Sequence, residues 1–306
     1  MTTLGVLNLQ RTTVLMHPPA VSALFQTHPR SFQKNRYVYP VLSRRAGGLS
    51  LGVNLNIDKI CNFHCVYCQV GHAEPGVKEF VDLPRLRDEL DQMIELITSG
   101  RIYEGTQFRH TPAEFRRLND IALSGDGEPT TYTNFGDVVK VCAEVRRGHG
   151  LDQLKLVLIT NASMLHREAV GEALRVLDAN NGEIWAKLDA GTEAYYRQVA
   201  RSAVKFSQIL DNLLLAARAR PIVIQSLFMR LHGQPPTADE QEAYCERLNA
   251  ITAAGGRIKL VQIHTVARVP AESWVASLAN AEIDALAELV RRRTGLTVAG
   301  FYGSGG

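Results

Sequence analysis

The chain contains 306 residues, of which 45% are hydrophobic, 21% charged and 7% aromatic. Such a composition is typical of a folded globular protein, and it excludes disordered and collagen-like chains. The net charge of +3 is too small to mark the whole surface as a nucleic-acid footprint, which leaves a local basic patch as the alternative.

The sequence also predicts the compartment. No apolar stretch approaches the roughly 18 residues that cross a bilayer. The opening residues MTTLGVLNLQRTTVLMHPP lack a basic leader followed by an apolar run and a cleavage site. Five cysteines, three of them crowded at positions 61, 65 and 68, do not form the even framework of a disulfide-stapled secreted domain. We therefore expect a cytoplasmic protein without membrane contact, whose clustered thiols bind metal.

Residues 1–48 show no regular apolar period. They contain several prolines and a run of basic side chains, namely Arg30, Lys34, Arg36, Arg44 and Arg45. A charge run is more often a solvated face than a binding patch. The segment is therefore predicted to be an extended N-terminal arm on the surface, and RNA binding through residues 30–45 is the alternative.

Residues 49–299 alternate between candidate strands and helices, with the apolar period changing from about 2 to about 3.6 residues each time. Repeated βα units predict parallel strands with right-handed crossovers, in a barrel or an open doubly wound sheet. The predicted strands span residues 51–57, 120–124, 155–160, 183–189, 222–228 and 258–264, with a weaker seventh at 297–299.

Capping residues mark the helix boundaries. Asp82 is the predicted start of the first helix and Gly100 its end. Thr237 and Glu240 have the spacing of a capping box, and Asn280 opens the last helix.

Two segments outside this alternation are candidates for function. The long link at residues 101–118 is predicted to be a loop that contacts substrate, because long links in compact domains are often functional. The glycine-rich residues 300–306 are interpreted as a frayed C-terminal tail, with a flap over the site as the alternative.

The cysteines divide into one cluster and two isolated thiols. Cys61, Cys65 and Cys68 have the spacing C-x3-C-x2-C after the first predicted strand, whereas Cys142 and Cys245 sit on apolar helix stripes and are predicted to be buried. Structural zinc takes four closed Cys or His ligands, and no second C-x2-C pair exists here. Three thiolates on a four-iron cluster instead leave one iron open to an exogenous molecule. The spacing therefore favours a catalytic iron–sulfur cluster.

This triplet resembles the signature of the radical S-adenosylmethionine enzymes, and the resemblance covers about residues 43–264. It implies an α/β fold, a partial (βα)6 TIM-like barrel, here with an N-terminal extension. It also implies a [4Fe–4S] cluster on Cys61, Cys65 and Cys68, S-adenosyl-L-methionine as cofactor, and an electron donor such as flavodoxin or ferredoxin. In that family the cofactor is cleaved to methionine and a 5′-deoxyadenosyl radical, which abstracts a substrate hydrogen.

A second motif closes the next predicted strand. The residues Ser124, Gly125, Asp126, Gly127 and Glu128 are similar to the family's Gly-Gly-Glu element, which holds the methionine amino group. Two glycines permit close backbone approach, and a carboxylate can accept hydrogen bonds from an ammonium group. Asp126 stands where the family has its first glycine.

Strand alternation identifies side chains that face the barrel interior. Lys187 and Asp189 share a face with Trp185, at the carboxyl end of their strand, where barrel enzymes keep their active sites. The resemblance implies that Lys187 contacts the cofactor carboxylate and Asp189 a ribose hydroxyl, with a mutual salt bridge as the alternative. It also places Tyr67 beside the adenine, and ordinary loop packing is the alternative there.

The same alternation turns Gln225, Gln262 and His264 toward the lumen as cofactor or substrate contacts. His264 and Lys187 are the candidate catalytic residues, and a satisfied core histidine is the alternative for His264. Asn161 resembles the asparagine of the family's Thr-Asn-Gly turn, where a plain turn role is the alternative.

The run at residues 40–55, with the motif at 124–130, is similar to the wyosine-synthase-like branch, relatives of enzymes that build a tricyclic guanosine on tRNA. Members with that activity carry further cysteines near the N-terminus, and this chain has none before Cys61. We therefore expect a radical enzyme for a small molecule or peptide. The alternatives are an RNA-modifying enzyme, aminocarboxypropyl transfer from S-adenosylmethionine, and a non-catalytic metal-stabilised binding module.

Overall fold

The structure is a computed structural model that describes residues 32–70 and 80–303. Its strands are β1 (Val38–Ser43), β2 (Gly48–Val53), β3 (Leu118–Leu123), β4 (Lys155–Thr160), β5 (Gly182–Lys187), β6 (Ile222–Leu227), β7 (Arg230–Leu231), β8 (Ile258–His264), β9 (Val275–Ala276) and β10 (Val298–Phe301). One curled eight-stranded sheet has the order β1-β2-β3-β4-β5-β6-β8-β10, and β7 pairs with β9. β1 is antiparallel to β2, and the other neighbours in the large sheet are parallel.

The helices are α1 (Leu83–Thr98), α2 (Phe135–Gly148), α3 (Glu168–Asp178), α4 (Glu193–Ala200), α5 (Phe206–Ala219), α6 (Ala238–Ala253) and α7 (Asn280–Thr294). A helix follows each of β2, β3, β4, β5, β6 and β8, so the predicted (βα)6 pattern is confirmed. The sheet ends at β1 on one side and β10 on the other, which makes the barrel partial. No helix among the described residues is long and apolar enough to cross a membrane.

The two faces of the sheet bury different sets of side chains. Ile184 and Ala186 on β5, and Leu188 directly after it, belong to the main core beneath the helices. Trp185 packs on the inner face, in a separate apolar layer with Val157 and other residues of the neighbouring strands. The alternation predicted for this strand is thus confirmed, and it turns Trp185 and Lys187 toward the lumen.

Two strands have the predicted bounds, at residues 155–160 and 258–264, but the first one does not. It spans Gly48–Val53 rather than residues 51–57. Asn54 ends it, because its side-chain Oδ1 accepts hydrogen bonds from Asn56 N at 3.1 Å and Asp126 N at 3.0 Å. These side-chain bonds replace a strand ladder at this point.

The predicted arm contains a strand. Val38–Ser43 pairs with β2, and its Pro40 occupies the sheet edge, where a missing backbone donor costs little. The prediction that residues 1–48 are irregular is therefore wrong for this part, and residues 1–31 lie outside the described range. At the other terminus β10 runs through Phe301, so residues 300–301 are strand rather than frayed tail, and residues 304–306 lie outside the described range.

The capping predictions hold with one exception. The Asp82 side chain accepts a hydrogen bond from Arg85 N, and the Thr237 side chain accepts one from Glu240 N. Glu240 does not complete a capping box. Its carboxylate instead accepts from the backbone of Gly191 and from Thr192, and so ties the loop after β5 to α6.

The link at residues 101–118 lies away from the barrel mouth. It joins α1 to β3, and its end contacts the start of β2, where Leu49 N donates to Arg117 O at 2.8 Å. Helix-to-strand links lie at the amino ends of the strands, whereas barrel active sites lie at the carboxyl ends. The prediction that this segment contacts substrate is therefore wrong.

A buried carboxylate anchors the edge strand to α1. Glu89 is 5% exposed and accepts hydrogen bonds from Arg36 N at 2.8 Å, Tyr37 N at 2.8 Å and Val38 N at 3.1 Å. It satisfies three backbone donors that enter the sheet edge, so the position of β1 depends on one side chain.

We predict that Glu89→Ala lowers the free energy of unfolding by about 3 kcal/mol, because it leaves buried backbone N–H groups without a partner. Urea denaturation followed by circular dichroism measures the change. Glu95→Ala, at an exposed position of the same helix, is the control and is expected to be near neutral. Equal stability of the two variants would contradict the anchoring role.

Candidate active site

The three clustered cysteines lie at the barrel mouth. Cys61, Cys65 and Cys68 follow the carboxyl end of β2 and line a cavity of about 330 Å³ that extends into the lumen. The loop that carries them is held by backbone hydrogen bonds to the end of α4: His64 N donates to Ala200 O, and Val66 N donates to Val199 O, both at 3.0 Å. The thiols therefore sit on a fixed loop beside the lumen.

The loop after β3 contacts the cysteine loop through its glycines. A Cβ atom at Gly125 would stand 2.1 Å from Asn54 Oδ1, and one at Gly127 would stand 2.2 Å from Ile60 O. Real Cβ atoms do not approach other atoms so closely, so only glycine fits at either position. Asp126 lies between them and pairs with Asn54, whose Nδ2 donates to Asp126 Oδ2 at 2.6 Å.

Glu128 is a buried tie between two strands. Its carboxylate accepts hydrogen bonds from Thr130 N at 3.1 Å, Thr160 Oγ1 at 2.6 Å and Asn161 N at 2.6 Å, and from the Thr130 hydroxyl. Burial raises the pKa of Glu128, and these donors act in the opposite direction. Oε1 accepts three of these hydrogen bonds and Oε2 accepts one, so Glu128 fixes the ends of β3 and β4 relative to each other while Oε2 can accept one more.

Asn161 makes a turn and also reaches the cysteine loop. Its Oδ1 accepts from Ser163 N at 3.0 Å, and its Nδ2 donates to Asn62 Oδ1 at 2.9 Å. Ala162, where the resembling motif has glycine, has a positive φ of 65°. The turn therefore needs the backbone conformation that glycine adopts most easily, although alanine occupies it.

Lys187, Asp189 and Tyr67 form a single interacting group. Lys187 Nζ lies 3.2 Å from Asp189 Oδ2 and 4.3 Å from the centre of the Tyr67 ring. Lys187 donates to the Tyr67 hydroxyl, which in turn donates to Asp189, and Asp189 Oδ1 accepts from Leu227 N at 2.8 Å. Burial, followed by the nearby Asp189 carboxylate, raises the pKa of Tyr67. The salt bridge given as the alternative is thus present.

The remaining predicted lumen residues come from β6 and β8. Gln225 and His264 line the cavity, and Gln225 Nε2 donates to Gln262 Oε1 at 3.1 Å. His264 is 9% exposed, and within the described chain its Nδ1 is buried without a hydrogen-bond partner. Ser124 lines the cavity as well, and its carbonyl accepts from the Tyr39 hydroxyl at 3.3 Å.

The donor set fits a cluster better than a single ion. Among residues 32–70 and 80–303, no three His, Cys, Asp or Glu side chains converge on one metal-ion position. Burial raises the pKa of Cys61 to about 11 and that of Cys65 to about 12, so their thiolates need positive charge nearby. Three thiolates bound to three irons stand farther apart than three on one ion, and the irons supply that charge. Cys142 and Cys245 are buried elsewhere, as predicted.

Several cavity residues were not predicted. Arg45 was interpreted as part of a solvated charge run, but its guanidinium lies over the Trp185 ring at 5.9 Å and lines the lumen. Arg268, from the loop after β8, lines the same cavity. Asp120 also lies there and accepts a hydrogen bond from Ser50. A run of charges does not show which way each side chain points, so the inward position of Arg45 becomes clear only from the structure of the hairpin between β1 and β2.

A partial βα barrel with three thiols and a polar lumen at its carboxyl mouth defines an iron–sulfur barrel enzyme. Residues 55–235 match the model of the Radical SAM superfamily, which is more than half of the chain, so the chain belongs to that superfamily. Its members use a [4Fe–4S] cluster and S-adenosylmethionine. The superfamily resemblance of the cysteine motif is thereby confirmed.

Curated relatives named UPF0026 match part of the chain. The chain is 26% identical over 187 residues to the UPF0026 protein of Helicobacter pylori, covering 58% of this chain and 53% of that protein. It is 30% identical over 179 residues to the UPF0026 protein slr1464 of Synechocystis, covering 58% and 57%. The chain thus spans about half the length of these relatives.

Solved structures share the fold. A structure of TYW1 with a lysine-pyruvate adduct bound has a TM-score of 0.55 and 13% identity, covering 86% of each chain. A radical SAM methyltransferase from Sphaerobacter thermophilus has a TM-score of 0.59 and 12% identity, covering 87% of this chain and 69% of that one. At these identities the likeness is one of fold.

We predict that Gly127→Ala sharply lowers the iron content of reconstituted protein, because the new Cβ displaces Ile60 and the cysteine that follows it. Iron and sulfide analysis after anaerobic reconstitution measures the effect. Gly171→Ala is the matched control, since a Cβ there has open space within 4 Å. Full iron content in Gly127→Ala would show that the glycine contact does not position the thiols.

Proposed function

We propose that this enzyme cleaves S-adenosylmethionine reductively and uses the resulting radical on a small molecule or peptide. The observation that carries the proposal is one cavity that holds three thiols at its mouth and polar side chains below them. When bound, the [4Fe–4S] cluster supplies the electron that cleaves the cofactor to methionine and a 5′-deoxyadenosyl radical. In this proposal Cys61, Cys65 and Cys68 hold that cluster.

The loop after β3 would hold the methionine amino group. Glu128 Oε2 accepts one hydrogen bond, from Asn161 N, so it can accept another from an ammonium group, which the carbonyls of residues 124–127 can also bind. The close contact between Gly127 and Ile60 keeps these carbonyls beside the cysteine loop. Asn161 supports the same loops through Asn62.

The group formed by Lys187, Asp189 and Tyr67 would hold the rest of the cofactor. Lys187 can turn from Asp189 toward the cofactor carboxylate, which leaves Asp189 to accept a ribose hydroxyl. Tyr67 is held in place by both side chains and would flank the adenine. Gln225, together with Gln262, offers further polar contacts from the opposite strands.

The direction of the basic side chains favours a small substrate over RNA. Residues 101–118, whose basic side chains could also contact RNA, lie at the amino ends of the strands rather than at the mouth. Arg45, from the segment at residues 30–45, points its charge into the lumen rather than onto an outer face. RNA modification and aminocarboxypropyl transfer are the competing activities that the experiments below distinguish.

The electron would come from a protein donor such as flavodoxin or ferredoxin, and the enzyme would work in the cytoplasm. The five cysteines are free thiols, which is the state expected in a reducing compartment. A reducing compartment also preserves an iron–sulfur cluster with an open iron.

We predict about four irons per chain after anaerobic reconstitution, because only one group of thiols lies together. Alanine in place of any of Cys61, Cys65 or Cys68 should abolish the intact cluster. The double variant Cys142→Ala and Cys245→Ala keeps its iron, since both thiols are buried in the helix core. About eight irons per chain would contradict the single-cluster proposal.

Lys187→Ala is expected to weaken S-adenosylmethionine binding by roughly 10- to 150-fold, the loss of one charge-assisted contact worth about 1.5–3 kcal/mol. Calorimetry on the reconstituted protein measures it. Lys259→Ala serves as the control, because Lys259 pairs with Glu183 at the amino ends of the strands. Wild-type affinity in Lys187→Ala would remove this lysine from the cofactor site.

Product analysis tests the reaction itself. Reconstituted protein, a reductant and S-adenosylmethionine should yield 5′-deoxyadenosine and methionine in equal amounts, detected by mass spectrometry. 5′-Methylthioadenosine in place of 5′-deoxyadenosine would indicate aminocarboxypropyl transfer. Metal binding without any cofactor cleavage would indicate a binding module.

A further inference from the structure

The cavity has two chemically different walls. The thiols, the loop after β3, Asn161 and Lys187 belong to the side built by β2 to β5. The other side is built by β8, β10 and the hairpin between β1 and β2, and it carries positive charge: Arg44, Arg45, Arg268 and His264 line it. The proposed cofactor contacts lie mainly on the first wall, so the second wall is available to another molecule.

The hairpin between β1 and β2 carries two arginines, and one of them reaches across the gap between the end strands β1 and β10. β1 and β10 are the end strands of the sheet, and Arg44 donates a hydrogen bond to the carbonyl of Tyr302, just after β10. Its neighbour Arg45 turns inward and lies over Trp185. Within the described chain the Arg45 side chain makes no hydrogen bond or ion pair, and it lines the cavity, where its N–H donors can bind a ligand.

Like charges crowd this wall. Burial, and then the nearby charges of Arg44 and Arg268, lower the pKa of Arg45 to about 10, against a smaller opposing effect from Asp120. Burial, and then the charges of Arg45 and Lys187, lower the pKa of His264 well below its usual value. Cations held this close repel one another unless an anion lies between them.

His264 adds an independent sign of a missing ligand. The residue is 9% exposed and lines the cavity, and its Nδ1 is buried without a partner in the described part of the chain. A buried polar atom without a partner is costly, and a bound ligand is one way to satisfy it. In the tautomer that carries its proton on Nδ1, the imidazole can donate this N–H to an oxyanion beside the guanidinium groups.

We propose that the substrate of this enzyme is a small molecule bearing a phosphate or carboxylate group, and that Arg45, Arg268 and His264 bind this oxyanion. The proposal rests on the function proposed above and adds the substrate class. Guanidinium groups bind phosphates and carboxylates through paired N–H donors, and both oxyanions share that geometry. Trp185, beneath Arg45, offers an apolar surface to the rest of the substrate.

The test uses the reconstituted holoenzyme with saturating S-adenosylmethionine, and inorganic phosphate and malonate as probes. Binding is measured by the rise in thermal stability with probe concentration, against sodium chloride at equal ionic strength. We expect at least one probe to bind wild-type protein, and Arg45→Gln to weaken that binding at least tenfold. Arg175→Gln, an exposed arginine on α3, should bind like the wild type. Phosphate alone or malonate alone as the effective probe identifies the oxyanion.

Three outcomes would overturn the proposal. The first is equal probe binding in wild type and Arg45→Gln. The second is competition between the probes and S-adenosylmethionine, which would assign the arginines to the cofactor carboxylate. The third is tight, salt-sensitive binding of a transfer RNA with no binding of either probe. Arg45→Lys, which keeps the charge but loses the paired donors, should bind with intermediate affinity and guards against a variant that fails to fold.

The same samples separate this proposal from the proposed function. If wild-type holoenzyme releases 5′-deoxyadenosine but shows no oxyanion preference, the substrate class is wrong and the function stands. If no cofactor cleavage occurs in the wild type while the probes bind through Arg45, the proposed function fails and the oxyanion site stands.

Discussion

The active-site region depends on one close approach of backbone to backbone. The loop after β3 lies so near the cysteine loop that Gly127 stands directly over the carbonyl of Ile60, and a Cβ would meet it at 2.2 Å. The residue after Ile60 is Cys61, so this contact fixes the position of the first residue of the cysteine motif. Asn54 reinforces the contact by pairing with Asp126 and by ending β2. The placement of the cluster site thus follows from two residues that have no side chain.

Hydrogen bonds between buried polar groups hold most of the other site residues in place. Glu128 accepts hydrogen bonds from Thr160 and Asn161 at the end of β4 and from Thr130 in its own loop, and so holds the ends of β3 and β4 together. Lys187, Asp189 and Tyr67 satisfy one another and remain available to exchange partners with a ligand. Arg45 and His264 are different: within the described residues the Arg45 side chain makes no hydrogen bond or ion pair, and Nδ1 of His264 is buried without a hydrogen-bond partner. On one side of the lumen the polar side chains are paired with one another, and on the other side Arg45 and Nδ1 of His264 have no hydrogen-bond partner within the described residues.

Much of this architecture could be predicted from the sequence, and the reasons differ by element. The strands at 155–160 and 258–264 have the predicted bounds, because their apolar runs are short and sharply bounded. The inward face of β5 follows from a period of two. The cysteine spacing identified the superfamily, because three thiolates at those intervals suit a cluster with an open iron.

Other features depend on contacts distant in sequence. The strand at residues 38–43 exists because it pairs with β2 and is anchored by Glu89, more than 40 residues away. Arg45 reaches the lumen only because the hairpin spans the opening between β1 and β10. Glu240 has the spacing of a capping box, but the loop after β5 offers it stronger partners. The position of residues 101–118 could have been predicted, since any helix-to-strand link lies at the amino ends of the strands.

Cys61, Cys65 and Cys68 are proposed to hold a [4Fe–4S] cluster whose remaining iron is open to S-adenosylmethionine. Electron paramagnetic resonance of the reduced, reconstituted protein, recorded before and after the cofactor is added, tests this proposal. We expect a signal typical of a reduced [4Fe–4S] cluster that changes in shape when the cofactor binds. A cluster signal that S-adenosylmethionine leaves unaltered at saturating concentration would contradict it.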